Sequence, residues 1–209
     1  MALPKPFSDR EEAGRRLAAE LPALDRPIVL GLPRGGVPVA AAVARALGAP
    51  FDVFVVRKLG VPAQPELAMG AVASGGVRVI NDDVVRQAGV PASVLDEVTA
   101  RERVAVEARE QLYRGDRPPP LLRGRDIVLV DDGLATGATM RAAVEAVRMH
   151  DPSRIVVAVP VAPAETVAAF ARDGVEIVSV QAPDSFVAVG SWYRDFGQIS
   201  DEEVVRLIS

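Results

Sequence analysis

The chain has 209 residues, 49% apolar and 25% charged, with a formal net charge of -4, values that fit one α/β domain and leave no global cationic field to hold a polyanion. It contains no cysteine and a single histidine, His150, which excludes disulfides, thiolate metal sites, a Cys nucleophile and a His-rich metal centre. Any metal must then be held by oxygens, which points to a hard cation such as Mg2+.

In chain order, the first signal is Ser8-Asp9-Arg10-Glu11, whose capping-box spacing predicts a helix over 9–21. The polar, Pro-containing segment 1–10 lacks an apolar run like a signal peptide, and no stretch approaches the ~20 apolar residues that span a bilayer. No membrane association and residence in the cytoplasm are therefore expected. A short apolar run over 28–32 predicts a buried strand, followed by the turn Pro33-Arg34-Gly35-Gly36 and an Ala- and Val-rich helix over 37–47 closed by Gly48. Residues 51–56 predict the next strand, so this β-loop-α-β order implies a parallel pair with a right-handed crossover.

Residues 67–73 and 77–80 predict strands joined at Ser74-Gly75-Gly76. Asn81 is placed to cap a short helix to residue 88. A long helix over 92–113 ends at Gly115, and its many charges suggest a solvated face that includes Arg101, Arg103 and Arg109. Arg117-Pro118-Pro119-Pro120 reads as a stiff linker. Beyond it the pattern predicts strands over 127–130, 154–159 and 175–180, and helices over 137–149, 163–172 and 201–208. Unalternating Val and Ile runs are what a parallel strand buried on both faces requires. The expected fold is a single α/β domain spanning 1–209: a doubly wound, mostly parallel, Rossmann-like sheet with an inserted helical or flexible hood over about 61–125. His150 falls at a predicted helix C-terminus, where a cation suits the dipole, and is expected at the surface or as a cap.

The chemistry concentrates in Ile127-Val128-Leu129-Val130-Asp131-Asp132-Gly133-Leu134-Ala135-Thr136-Gly137-Ala138-Thr139. A buried strand ends in two carboxylates, a loop of small residues follows, and a helix begins. Backbone N–H groups over 136–139, with the Thr136 and Thr139 hydroxyls, suit a phosphate, and Gly137 lets the backbone approach it. A pure phosphate site would avoid Asp131 and Asp132. Beside a phosphate cradle they suit a sugar phosphate, accepting hydrogen bonds from ribose hydroxyls and holding Mg2+. Only Lys5 and Lys58 are lysines among 24 basic residues, which draws a functional reading to Lys58. Gly31 and Gly36 imitate part of a P-loop, but Val37-Pro38 replaces the required Lys-Ser/Thr, so an NTPase is not expected. The absence of a Gly-x-Gly-x-x-Gly after a strand argues against a dinucleotide site. The acidic balance and lack of a helix-turn-helix pattern argue against nucleic-acid binding.

This segment resembles the signature of the type I phosphoribosyltransferase family: apolar strand, two acidic residues, short loop, then Thr-Gly and a further Thr. The resemblance implies that Asp131 and Asp132 contact the ribose of 5-phosphoribosyl 1-pyrophosphate (PRPP) and that Ala135, Thr136, Gly137, Ala138 and Thr139 wrap its 5'-phosphate. Gly31-Leu32-Pro33-Arg34-Gly35-Gly36 is similar to the family's pyrophosphate loop. Phe54-Val55-Val56-Arg57-Lys58-Leu59-Gly60-Val61-Pro62 resembles a stretch of adenine phosphoribosyltransferases that would bring Lys58 to the pyrophosphate or 5'-phosphate. Pro183-Asp184-Ser185-Phe186-Val187-Ala188-Val189-Gly190 is similar to the base-binding stretch of 6-oxopurine enzymes. Phe186, Val187 and Trp192 follow as base-contact candidates, with Trp192 and Tyr193 equally placed to be core or dimer contacts.

Three departures leave the acceptor base open. Val61 stands where the adenine-type stretch has a second lysine, Ala135 stands where 6-oxopurine enzymes carry an acidic residue, and the acidic metal ligand expected shortly after Gly190 is displaced to Asp195 by Ser191-Trp192-Tyr193-Arg194. What the resemblance implies is a Mg2+-dependent transfer of phosphoribosyl from PRPP to a nitrogenous base, with Arg34, Lys58, Asp131 and Asp132 as catalytic candidates. The segment 60–76 is the candidate cover, with the arginine-bearing helix over 92–113 as the second candidate, and a homodimer is compatible with the family. The other reading is a non-catalytic protein that binds PRPP or a nucleotide and regulates a partner.

Overall fold

The computed structural model describes residues 6–62 and 64–209, so Lys5, and Ala63 within the candidate cover, lie outside it. Helix α1 (Arg10–Glu20) begins one residue later than the capping-box reading placed it. Asp9 is the cap, accepting the Glu12 N–H at 2.7 Å, while the Glu12 carboxylate reaches back to the Ser8 N–H. The first bond of a capping box is therefore made from Asp9, while the return bond from Glu12 goes to Ser8, one residue ahead of the cap.

Strand β1 (Ile28–Gly31), helix α2 (Gly36–Leu47) and strand β2 (Phe51–Val53) form the first parallel unit. Strand β2 stops short of the expected 51–56. Phe54 donates its N–H to Gly31 O at 3.0 Å, and the Val55 backbone is then taken by Ser74 through both an N–H to the Ser74 hydroxyl and a carbonyl to the Ser74 N–H. The chain leaves the first sheet there and starts a second: β3 (Val56–Val61), β4 (Gln64–Ala73) and β5 (Val77–Ile80), all antiparallel. Helices α3 (Asp82–Gln87) and α4 (Ala92–Arg114) follow, so the hood carries a three-stranded sheet as well as helices. Strand β6 (Asp126–Val130), α5 (Ala138–Arg148), β7 (Arg154–Val161), α6 (Ala164–Arg172) and β8 (Glu176–Gln181) complete the core, and α7 (Asp201–Ile208) closes the chain.

The main sheet has the order β2-β1-β6-β7-β8 with every pair parallel. Its central strands are buried on both sides because alternate residues feed two different cores. Val29, Val128 and Val130 meet Leu17, Val39 and Val43 of α1 and α2, whereas Ile28, Leu30, Ile127 and Leu129 meet Met140, Val144 and Phe170 of α5 and α6. A third core packs Leu59, Met69 and Val72 of the hood sheet on Leu95, Val98 and Val106 of α4 and reaches Val204 and Ile208 of α7. The lone histidine also departs from expectation. Its Nε2 is buried with no hydrogen-bond partner among the described residues, and its ring lies against Gly75.

One arginine of α4 is structural. The side chain of Arg114 is 6% exposed and donates to Asp52, Glu110 and the Val53 carbonyl at 3.0, 3.0 and 3.1 Å. Arg114→Ala leaves two carboxylates facing each other without their cation. We expect a loss of roughly 2 kcal/mol in urea unfolding, below the ~3–5 kcal/mol of a fully buried pair because Asp52 and Glu110 keep some solvent contact. Arg86→Ala, which removes an exposed partner of Asp83, should change stability by less than about 0.5 kcal/mol. Equal effects of the two would contradict this account.

Candidate functional site

Strands β1 and β6 are neighbours in the sheet, and their register sets Gly31 against Val130. The connection after β1 turns towards β2 and the one after β6 towards β7, so the loops leaving these two strands diverge. That is the switch point at which open α/β sheets hold ligands. The first loop is tight: Leu32 donates to Val130 O at 2.9 Å, Gly36 to Leu32 O at 3.1 Å and Val37 to Arg34 O at 3.2 Å. The Pro33–Arg34 peptide bond is cis.

Two glycines bring this loop against the carboxylates. A Cβ on Gly36 would lie 2.6 Å from Val130 O and 2.8 Å from the Asp131 Cα, and one on Gly35 would overlap Asp132 Oδ2. Gly35 and Gly36 thus stand directly against Asp132 and Asp131, with Arg34 beside them in the loop. The Asp131 Oδ1 accepts the Asp132 N–H at 2.8 Å. Burial and the adjacent Asp132 charge hold the Asp131 carboxyl well above the usual carboxylate range. Burial also raises Asp132, opposed by the nearby Arg10 guanidinium.

The second loop passes into α5 through Gly137, which has φ 73° and caps the helix. A Cβ there would also strike the Phe170 ring at 2.5 Å, so glycine is required on both counts. Thr166 of α6 fixes the loop from beneath by donating to Ala135 O at 2.8 Å. Ala135, Thr136 and Thr139 are exposed around the start of α5. Thr139 also lines a cavity of about 680 Å3 with Lys58, Arg57, Arg101 and Glu102. Lys58 stands opposite Ala71 on the hood sheet, and this cavity brings it together with Thr139 at the start of α5. Glu102 receives Arg57 at 2.9 Å and Arg101 at 3.0 Å, while Arg101 and Arg103 are themselves exposed, as expected of a solvated face.

Arg34 is tethered from outside the expected motifs. Its Nη1 lies 4.0 Å from Asp201 Oδ1 at the first turn of α7, and the same Asp201 oxygen accepts the Tyr113 hydroxyl from α4. Burial and that hydrogen bond push the Tyr113 phenol up to about 12. Among the proposed base contacts, Phe186 and Trp192 are half-buried against Phe7, Ala13, Val161 and Tyr193, while Val187 is 88% exposed. The Tyr193 hydroxyl donates to the Asp132 carbonyl at 2.5 Å, and Val189 packs where Gly133 leaves room.

Sequence reasoning missed Arg10, Tyr193 and Asp201 as neighbours of the site. For Arg10 a signal was present: Arg10, Ala13, Gly14 and Leu17 form an i, i+3, i+4, i+7 stripe, and all four are buried. A charge on such a stripe needs a buried partner.

A family profile described as "Phosphoribosyl transferase domain" matches residues 64–194. A Mycobacterium tuberculosis H37Rv protein, provisionally named a phosphoribosyl transferase, is 50% identical over 206 residues, covering 98% of this chain and 46% of its own length. The chain therefore spans about half the length of the curated relatives it matches. The solved structure of TT1426 from Thermus thermophilus is 46% identical, covers 97% of both chains and superposes with a TM-score of 0.90. A Neisseria gonorrhoeae hypothetical protein solved with bound ppGpp shares the fold at 15% identity, with a TM-score of 0.52 over 100% of this chain and 97% of that one. Among the described residues no helix is long and apolar enough to cross a membrane.

Proposed function

Because the chain belongs to the type I phosphoribosyltransferase family, we propose that it transfers the 5-phosphoribosyl group of PRPP to a nitrogenous base and releases pyrophosphate, with Mg2+ bound beside the substrate. The observation that carries this reading is the meeting of two loops in one crevice. Gly35 and Gly36 back directly onto Asp132 and Asp131, so groups suited to pyrophosphate and groups suited to ribose stand side by side.

The donor set fits Mg2+. Among the described residues no group of three or more His, Cys, Asp or Glu could hold a metal by itself. Mg2+ characteristically keeps waters and uses one or two carboxylates together with substrate phosphates, and Asp131 and Asp132 would supply those carboxylates. When bound, the ion supplies positive charge against the departing pyrophosphate.

The chain's own groups then have distinct tasks. Asp131 and Asp132 accept hydrogen bonds from the ribose hydroxyls, and the amides over 136–139 hold the 5'-phosphate. As the bond from the anomeric carbon to pyrophosphate breaks and the bond to the base nitrogen forms, negative charge grows on the leaving group. Arg34, the Gly35 and Gly36 amides and Lys58 meet that charge. No covalent nucleophile is needed. The β3–β4 hairpin, which walls the Lys58 cavity, serves as the cover that keeps water from the reacting centre.

Lys58→Ala should lower kcat about tenfold while PRPP affinity changes less than about threefold, since the ammonium meets charge that grows only in the transition state; partial solvent contact keeps the effect below that of a buried contact. A loss in binding with kcat intact would remove this role. The reading as a whole is checked by titrating PRPP into the wild-type chain with and without Mg2+. Saturable, Mg2+-strengthened binding is expected, and no saturable heat under either condition would remove it.

A further inference from the structure

Arg10 enters the crevice from the N-terminal helix, 122 residues before Asp132 in sequence. Its Nε and Nη2 both lie 2.9 Å from Asp132 Oδ2, and its Nη1 donates to the Gly197 carbonyl at 2.8 Å. The guanidinium carbon sits 4.0 Å from the Phe196 ring centroid and 6.0 Å from that of Tyr193. Only 10% of the Arg10 side chain and 14% of the Asp132 side chain are exposed. A guanidinium held on two edges and one face has few rotamers left, and a fork of this kind fixes the carboxylate it grips.

Asp132 Oδ2 is the same oxygen that lies where a Gly35 Cβ would be. Arg10, Asp132 and Gly35 therefore form one contact chain from the N-terminal helix to the first loop. Both Arg10 contacts fall on Oδ2, which leaves Asp132 Oδ1 outside the guanidinium's grip.

We infer that Arg10 is a positioning residue for sugar-phosphate binding: it holds Asp132 by Oδ2, presents Oδ1 to the ribose hydroxyls, and offsets one of the two adjacent negative charges that would otherwise repel the substrate's phosphates. The inference rests on the reading of the crevice as a PRPP site. It goes beyond the family match, which covers residues 64–194 and includes neither Arg10 nor Gly197. Lysine is a poor substitute, because one ammonium cannot grip Asp132 and the Gly197 carbonyl with the same planar fork.

The test is calorimetric titration of Mg2+-PRPP into wild type, Arg10→Ala, Arg10→Lys, Asp132→Asn and the Arg10→Ala/Asp132→Asn double variant, with thermal melts of each. Arg10→Ala should weaken binding at least about tenfold and Arg10→Lys by less, as loss of a group orienting a ligand-binding carboxylate does. Added to Asp132→Asn, Arg10→Ala should change affinity less than about twofold, because its effect runs through Asp132. Binding by Arg10→Ala within about twofold of wild type, or losses that multiply in the double variant, would overturn the inference. If Arg10→Ala alone fails to fold, the double variant, which no longer buries an uncompensated carboxylate, is compared with Asp132→Asn. Equal affinity supports the positioning role and a further drop overturns it. Absence of binding by the wild-type chain is a separate result: it overturns the functional reading itself and this inference with it.

Discussion

Replacing Asp131 with asparagine should raise the melting temperature of the unliganded protein and, in the same variant, weaken Mg2+-PRPP binding by about 10- to 100-fold. The size of the affinity loss follows from the ~1.5–3 kcal/mol of a hydrogen bond to a charged group. The opposite signs come from one geometry. Asp131 is half-buried beside Asp132, and both desolvation and that neighbour favour its neutral form, so without a ligand its ionisation works against the fold. In acid, below the ordinary carboxylate value, folded and unfolded chains both carry a neutral Asp131, and wild type and variant should melt together. As pH rises the unfolded chain ionises first while the folded chain keeps its proton, and wild-type stability falls. The deficit becomes constant once pH passes the raised folded-state value. The advantage of Asp131→Asn should thus be absent in acid and full in alkali, with about 2–4 °C for each kcal/mol in a chain of this size. A variant that melts lower at every pH and binds PRPP normally would contradict the placement of this carboxylate in the site.

Gly36→Ala should reduce kcat/KM at least about 100-fold, the scale of a misplacement of about 1 Å in a reacting geometry. It should also cost about 1–3 kcal/mol of stability as an overpacking change. The added methyl would lie 2.6 Å from Val130 O and 2.8 Å from Asp131 Cα, both backbone atoms. Neither can yield easily, since Val130 pairs with Gly31 and accepts the Leu32 N–H at 2.9 Å. The first loop or the Asp131 backbone must therefore shift, and either shift disturbs the crevice. Gly48→Ala is the control. Gly48 has φ 61° but open space around it, so it should lose about 1 kcal/mol from the left-handed backbone alone with kcat/KM intact. Equal kinetic effects from the two would show that contact between the loops is not what matters.

Much of this was legible in the sequence because it is written locally. The Val- and Ile-rich runs of β1 and β6 marked strands buried on both faces, and Gly48, Asn81 and Gly115 marked helix ends that the structure keeps. The adjacency of Asp131, Asp132 and the Thr-Gly loop is a property of consecutive residues, so the chemistry could be read there directly. What escaped depends on contacts between distant segments. Strand β2 ends at Val53 because Ser74 captures the Val55 backbone from the next sheet, and nothing near Val55 announces that competitor. The clamp of Arg10 on Asp132 and of Asp201 near Arg34 joins the two ends of the chain to its centre. Local periodicity shows at most that Arg10 is buried, not what it meets. His150 does follow the end of α5, but the contact that half-buries it, Gly75 of the turn between β4 and β5, comes from a distant segment.

Transfer itself is measured as pyrophosphate release from PRPP and Mg2+ across a panel of purines, pyrimidines and related heterocycles, with a control lacking acceptor. Release that depends on one class of base, and is lost in Asp131→Asn, is the predicted result. PRPP binding without release for any acceptor would contradict the transferase and leave a protein that uses the same crevice to sense its ligand.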